Sequence, residues 1–488
     1  MPGEHSGDCQ GAWRRSTRAR GWSPVTDPAA ASVTSIEQHT DRLAPDPAEP
    51  RVTDTALRAA TGLACPAQRR ALGVLTATQV LGTVGVATGA AVSALVAAQL
   101  SGMDLAGGLA QTSTVLGAAL LAVPTARVAA RRGRRPALLL SYAVAAGGAA
   151  LAAAATALSA WPLLLLSLLP FGGGTAATFA ARFGAADLAR PAHRARAVST
   201  VVWAATLGAV AGPNLAGPAG SVAGALGMPA AAGAYLLAAT AFALAGAGVL
   251  AGLRPDPLVV ARRTAPEGPV VPMPRAQGHA CPAGPVPGPE QATGRMRLAV
   301  WWVLPAPARL ALVGMVTSQT AMVGMMSMTP VHMNHGGASV GVVGIVISVH
   351  LAGMYAASPF FGWMADRLGR VPVLTVGAAL VVAAAGIAGM AASHEAPQLG
   401  AGLTILGVGW SASLVSGSAL LSESVPLRVR AAAQGLSDLV MNVGGALGAV
   451  LAGLIVTAWS YAGLGLAIGF AALPLLVACM AAALRPAG

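Results

Sequence analysis

Two ionisable side chains, Asp438 and His350, stand inside apolar stretches of the sequence. A carboxylate or imidazole held in hydrocarbon is costly, so its presence points to proton exchange or to pairing with a fixed cation. His350 lies near the middle of its stretch, where an imidazole can switch charge near neutral pH. It can equally stay neutral, hydrogen-bonded to a neighbouring helix. Asp438 lies only about 7 Å into its stretch at ~1.5 Å per residue, which favours a structural ion pair. His332 and His335 sit near the end of theirs and are weaker candidates. A second set of polar and soft groups, Gln79, Thr83, Gln319, Met322, Met326 and Trp410, also stands inside the apolar stretches. Met315, Gln319, Met322 and Met326 recur at helical spacing, and flexible thioethers adapt to varied shapes or simply fill helix contacts.

The elements that must position these groups follow from composition. Of 488 residues, 55% are hydrophobic and 10% are charged, against roughly a quarter charged in a soluble domain. Apolar segments of about 20 residues, the length that crosses a bilayer, recur between residues 71 and 484. Twelve are expected. Residues 1–70 mix Ala, Pro, Thr, Arg and acids without periodicity; they read as a disordered cytoplasmic tail with no signal-peptide h-region. Residues 254–308 hold 12 of the 34 prolines and read as a flexible linker. Its end, from Arg295 to Leu304 with Trp301 and Trp302, suits the headgroup layer. The chain therefore divides into a first six-helix bundle (71–253), the linker, and a second bundle (309–488).

All 30 basic residues are Arg. With both termini cytoplasmic, no outer loop carries one; every Arg falls in the tails, inner loops or inner span ends such as Arg127, Arg182 and Arg309. That asymmetry supports twelve spans and speaks against nucleic acid as the partner of the +13 charge. The four Cys form no Cys-x-x-Cys pair, so neither a zinc site nor a disulfide framework is expected.

The halves are related copies. Gly362-x-x-x-Asp366-Arg367-x-Gly369-Arg370 has a counterpart in the first half, Ala126-x-x-x-Ala130-Arg131-x-Gly133-Arg134. Gly172 and Gly174 recur as Gly407 and Gly409, and Arg194, Gly208 and Gly212 recur as Arg430, Gly444 and Gly448. The first and third blocks share one offset along the chain, and the glycine block falls a single position short of it. Parallel six-span repeats are a plan of secondary transporters.

The loop from Gly362 to Arg370 resembles the signature of the major facilitator superfamily between spans 2 and 3, here in the second-half copy. Gly369 allows a tight reversal, and Asp366 can accept hydrogen bonds at a neighbouring helix N-terminus. The resemblance covers residues 71–484 and implies an all-α integral membrane protein, with two pseudo-symmetric six-helix bundles around a central cavity that opens alternately to each side. It implies that this loop locks one state. The first-half copy lacks the Gly and the Asp, and Asp438 is expected to pair with Arg131 or Arg134 in compensation. Gly208-x-x-x-Gly212-Pro213-x-x-Ala216-Gly217 looks like the antiporter motif of the drug/proton branch, whose small residues and Pro allow close, bent helix packing. Span 4 departs from that branch: on the Gly172 alignment, Leu168 stands where its Arg is usual.

The implied function is secondary transport, with efflux of drug-like amphipathic molecules preferred, protons as the candidate coupling ion, and a metabolite uptake carrier or facilitator as the alternative. The resemblance implies that spans 1, 4, 7 and 10 line the cavity, which makes Gln79, Thr83, Gln319, Met322, Met326 and Trp410 the candidate lining for bulky, largely apolar molecules. The cavity is expected to lack the buried Arg or Lys that an anionic sugar phosphate requires. The expected setting is a monomer in the lipid bilayer of the inner (plasma) membrane, with a small-molecule substrate and no cofactor. No nucleophile–base set suggests an enzyme, no added signalling domain suggests a sensor, and no Gly-x-x-x-x-Gly-Lys loop suggests ATP-driven transport.

Overall fold

A computed structural model describes residues 54–264 and 304–483. The expectations for 1–53 and 265–303, including Trp301 and Trp302, lie outside the described residues. Every regular element among the described residues is helical, and twelve helices are long and apolar enough to cross a membrane. They are α1 (Pro66–Ser101), α2 (Ala106–Arg132), α3 (Arg134–Ala157), α4 (Trp161–Ala186), α5 (Pro191–Ala225), α6 (Ala230–Gly252), α7 (Ala306–His335), α8 (Gly341–Leu368), α9 (Arg370–Gly389), α10 (Ala396–Ser424), α11 (Leu427–Ala458) and α12 (Tyr461–Ala483). Large apolar side chains such as Leu207, Val210, Leu447, Val450 and Phe470 point outward on them. Such a surface is stable against lipid and not against water.

In the first half α3 packs on α4 and α6, and in the second α9 packs on α10 and α12. The halves touch where α2 runs along α11 and α5 along α8. In the most apolar window of each span, α10 is 72% buried and α12 only 22%, so α10 is central and α12 faces lipid. Parts of both stretches read as irregular are helical: residues 66–70 of the tail already belong to α1, and Pro257–Thr264 of the linker forms a short helix.

The internal repeat is visible as packing. A Cβ on Gly208 would stand 2.5 Å from Val80 O, and one on Gly448 2.5 Å from Thr320 O. The α1–α5 crossing thus recurs as the α7–α11 crossing, both built on glycine. One register differs from the sequence alignment. Gly173 faces Ser141 O and Ala145 N, and Gly409 faces Gly377 O and Val381 N. All three pairs stand at the same offset as Ala126 and Gly362. Gly409 is therefore the counterpart of Gly173, while Gly407 packs as Gly172 does. The cause is local. The helix of α4 is interrupted at Gly172, beside Pro170, whereas α10 runs unbroken. One residue is lost at the break.

Gly212 also packs tightly, with Ala87 Cβ 2.8 Å from its ideal Cβ, but Gly217 has open space around it. Gly208→Leu should therefore destabilise by about 1–3 kcal/mol through overpacking. Gly217→Leu should stay within about 0.5 kcal/mol. Thermal unfolding in detergent distinguishes the two, and equal losses would contradict the packing.

Candidate functional site

Among the described residues, every side-chain hydrogen bond that joins the halves lies toward the Arg-rich ends of the helices. The second-half loop makes one group of them. Gly369, at φ +100°, turns the chain between α8 and α9. Asp366 then accepts from the backbone N–H groups of Ala195 and Arg196, both at 3.1 Å, in the first turn of the main α5 helix. Helix N-termini carry unpaired donors and the positive end of the dipole, so a carboxylate there is held twice over. Arg370 bridges Asp366 (3.1 Å) and Glu423 (2.8 Å) and donates to Pro191 O across the interface. Gly362 lies so close to Ser199 that a Cβ would fall 2.6 Å from Ser199 Cβ. Arg367 points away from this network, its guanidinium 5.0 Å over the Trp363 ring.

The first-half loop keeps half of this design. Gly133 has φ +99°, and Arg134 pairs with Asp187 at 2.7 Å. Arg134 and Asp187 are the first-half equivalents of Arg370 and Glu423. Ala130 has no acid to offer, and α11 explains why none is required. The main α5 helix begins at Arg194 after a short 3₁₀ turn, but α11 is already helical from Leu427. The α11 residues facing this loop sit inside a running helix, where backbone N–H groups are already used.

The structure corrects the expected pairing of Asp438. Its partner is Arg182, at 2.8 Å, not Arg131 or Arg134. Arg131 is exposed, and Arg134 is held by Asp187 and by Gln434 Oε1. The reason is depth. Since α11 starts at Leu427, Asp438 lies about 16 Å along it at ~1.5 Å per residue. Gln434, one turn earlier, meets Arg134, and Asp438 meets Arg182 from within α4.

Arg182 is the functional residue that sequence reasoning missed. It is 1% exposed and Asp438 5%. Its Nε donates to Ser418 Oγ at 3.0 Å. Ser418 occupies the equivalent position in the second half, so the guanidinium sits on the pseudo-two-fold axis. The rings of Phe179 and Phe183 lie 4.9 and 4.5 Å from its Cζ, and Nη1 has no hydrogen-bond partner among the described residues. A substrate cavity without a buried Arg was expected; Arg134, Arg182, Arg194 and Arg430 are buried, and Arg182 is the least exposed of them. The missing signal was the need of Asp438 for a cation at equal depth. Beside Asp438, a void of about 10 Å³ bordered by Thr125, Arg134 and Gln434 has room for about one water.

Among the candidate substrate groups, Trp410 Nε1 donates to Gln319 Oε1 at 2.7 Å. Tyr355, which sequence reasoning did not single out, sets its ring edge-on to Trp410 at 5.7 Å. Met322 is buried and Met326 half-buried in the same core. Gln79 and Thr83 on α1 are buried, with Gln79 Oε1 and Thr83 Oγ1 unpartnered among the described residues. His350 stands apart from both groups: its Nδ1 lies 2.6 Å from Leu403 O, between α8 and α10.

The family model described as Major Facilitator Superfamily matches residues 310–487. The chain is 37% identical to the Bacillus subtilis MFS-type transporter YdeG, over 84% of this chain and 90% of that protein. A shorter stretch of 95 residues, 20% of this chain and 24% of the relative, is 39% identical to the multidrug resistance protein MdtL of Klebsiella pneumoniae. The crystal structure of the human organic anion transporter MFSD10 has a similar fold, with a TM-score of 0.64 at 16% identity over 84% of this chain and 99% of that one.

Removing one member of a buried pair leaves the other charge uncompensated, at a cost of about 3–5 kcal/mol, whereas an apolar pair of similar volume is close to neutral. Arg182→Met and Asp438→Leu should each lower stability, and the double variant should recover most of the loss. A double variant that sums the single losses would contradict the contact.

Proposed function

Because the chain belongs to the major facilitator superfamily of membrane transporters, we propose that it exports hydrophobic and amphipathic small molecules by alternating access, in exchange for protons. The observation that carries the substrate class is the Gln319–Trp410 pair, with Tyr355 against the indole and Met322 nearby. This is one hydrogen-bonding couple in an apolar, polarizable wall, which suits molecules with aromatic surface and few polar groups. The MdtL stretch and the Gly208, Gly212 and Pro213 pattern favour export. The Arg asymmetry supports cytoplasmic termini, with the protein in the inner membrane.

Asp438 and Arg182 support the coupling. Opening the Arg-rich side pulls α4 from α11, and a bare carboxylate in a poorly solvated setting is costly. A proton reaching Asp438 neutralises it and weakens its hold on Arg182, so the cytoplasmic side opens. Release of that proton to the cytoplasm restores the carboxylate and lets the pair close again. Each cycle then carries a proton inward as substrate moves outward. Arg134 and Gln434 border Asp438 on one side and Arg182 on the other.

The test is accumulation of a panel of fluorescent dyes in inverted membrane vesicles. An acidic interior should drive dye into wild-type vesicles. Asp438→Asn should abolish the response to the gradient by at least tenfold while downhill dye exchange persists. Gradient-independent movement of every transported dye would exclude proton antiport, and dye accumulation by intact cells that express the protein would favour uptake.

A further inference from the structure

Asp256 follows α6 and takes no part in the Arg182 network. Its Oδ2 accepts from the backbone N–H of Arg135 at 2.7 Å, and its Oδ1 from those of Leu258 and Val259 at 3.0 and 3.2 Å. Arg135 is in the first turn of α3, and Leu258 and Val259 are in the first turn of the short helix Pro257–Thr264. One carboxylate thus caps two helices and neutralises the positive ends of both dipoles. The turn passes directly under it: a Cβ on Gly133 would stand 2.5 Å from Oδ2.

The other end of the short helix is tied to the same turn. Arg262 Nη1 donates to Ala130 O at 2.9 Å, at the C-terminal end of α2, where carbonyls lack helical partners. Between these ties, Leu258 is fully buried in a cluster with Ala129 and Ala137 of the first half and Ala431 of α11. The segment is therefore fastened to the first half through polar bonds and shares an apolar cluster with the second. That cluster lies on the α2–α11 crossing between the halves.

We propose that Asp256, Leu258 and Arg262 form a gate element that braces the first-half loop by a route different from that of Asp366. In the second half the loop acid reaches across to the other bundle directly. In the first half the acid comes from the segment after α6, rigidifies the α2–α3 turn, and lets Leu258 hold α11 in the state closed on the Arg-rich side. These are positioning residues: they bind no substrate and bias which state the transporter occupies. The inference rests on the two halves parting at the α2–α11 crossing during transport.

Double electron–electron resonance on the full-length protein in lipid nanodiscs tests it. Nitroxides at R132C and R428C, both exposed positions, report the separation of the Arg-rich ends in a background without native cysteines. Asp256→Asn and Leu258→Ala should each at least double the fraction of long distances, while Asp256→Glu stays nearer to wild type. Wild-type distributions in both variants, in monodisperse protein, would overturn the proposal and leave the segment a passive cap. If Asp256→Asn does not fold, Leu258→Ala decides alone. Asp366→Asn is the control for opening: if it also leaves the distances unchanged, it is the parting of the halves at this crossing that fails.

Discussion

A pair of opposite charges buried between two helices that must separate in the proposed cycle is the constraint on which this protein turns. Arg182 and Asp438 come from different bundles and are almost wholly removed from solvent. Such a pair contributes little to stability compared with two well-packed apolar residues. In the proposed cycle it makes the interface all-or-none. Closed, both charges are compensated and Ser418, Phe179 and Phe183 complete the shell around the guanidinium. Parted, each must find water, a proton or another ion. The cost of a half-open state is thereby raised, and the two bundles are favoured as rigid units in one of two positions.

The near-symmetry of the halves explains how one charge pair can lie at their centre. Helix crossings built on Gly208 and Gly448, and loop ion pairs at Arg134 and Arg370, recur in both bundles. The halves depart from each other at two places. The helix of α4 breaks at Gly172 where α10 continues, and α5 restarts at Arg194 where α11 is already helical. The second departure changes what each loop must supply. Asp366 is needed because α5 presents free N–H groups, while the matching face of α11 presents none. The acid in the first half is then free to come from elsewhere, and Asp256 supplies it to α3 instead. Loss of a signature residue here reflects a change in its partner helix.

The sequence made the architecture legible because a bilayer imposes strong rules. Span length, the one-sided placement of Arg and the repeat offset each constrain the fold independently. The chemistry of Asp366 and Gly369 was also readable, since a turn glycine and a helix-capping acid have local signatures. The centre of the interface was not. Arg182 lies close enough to the end of α4 to be read as one more inner-end Arg, and only the start of α11 at Leu427 reveals the depth of Asp438. The contact is set by how far along two distant helices each residue falls, and a boundary uncertain by several residues erases that information. The role of Asp256 was hidden in the same way, because a Pro-rich composition gives no sign of where a short helix will dock.

In the proposed cycle the Arg-rich interface closed around Arg182 and Asp438 opens at every turnover. Ala126 on α2 and Gly435 on α11 touch across that interface, beside the pair but outside it. In a background without native cysteines, R132C and R428C, exposed positions on the same two helices, can be joined by a bifunctional thiol reagent with a reducible spacer, which holds the bundles together there. Dye transport by the double variant should stop on cross-linking and return on reduction, with neither single variant affected. Transport at an undiminished rate with the cross-link formed would contradict that opening.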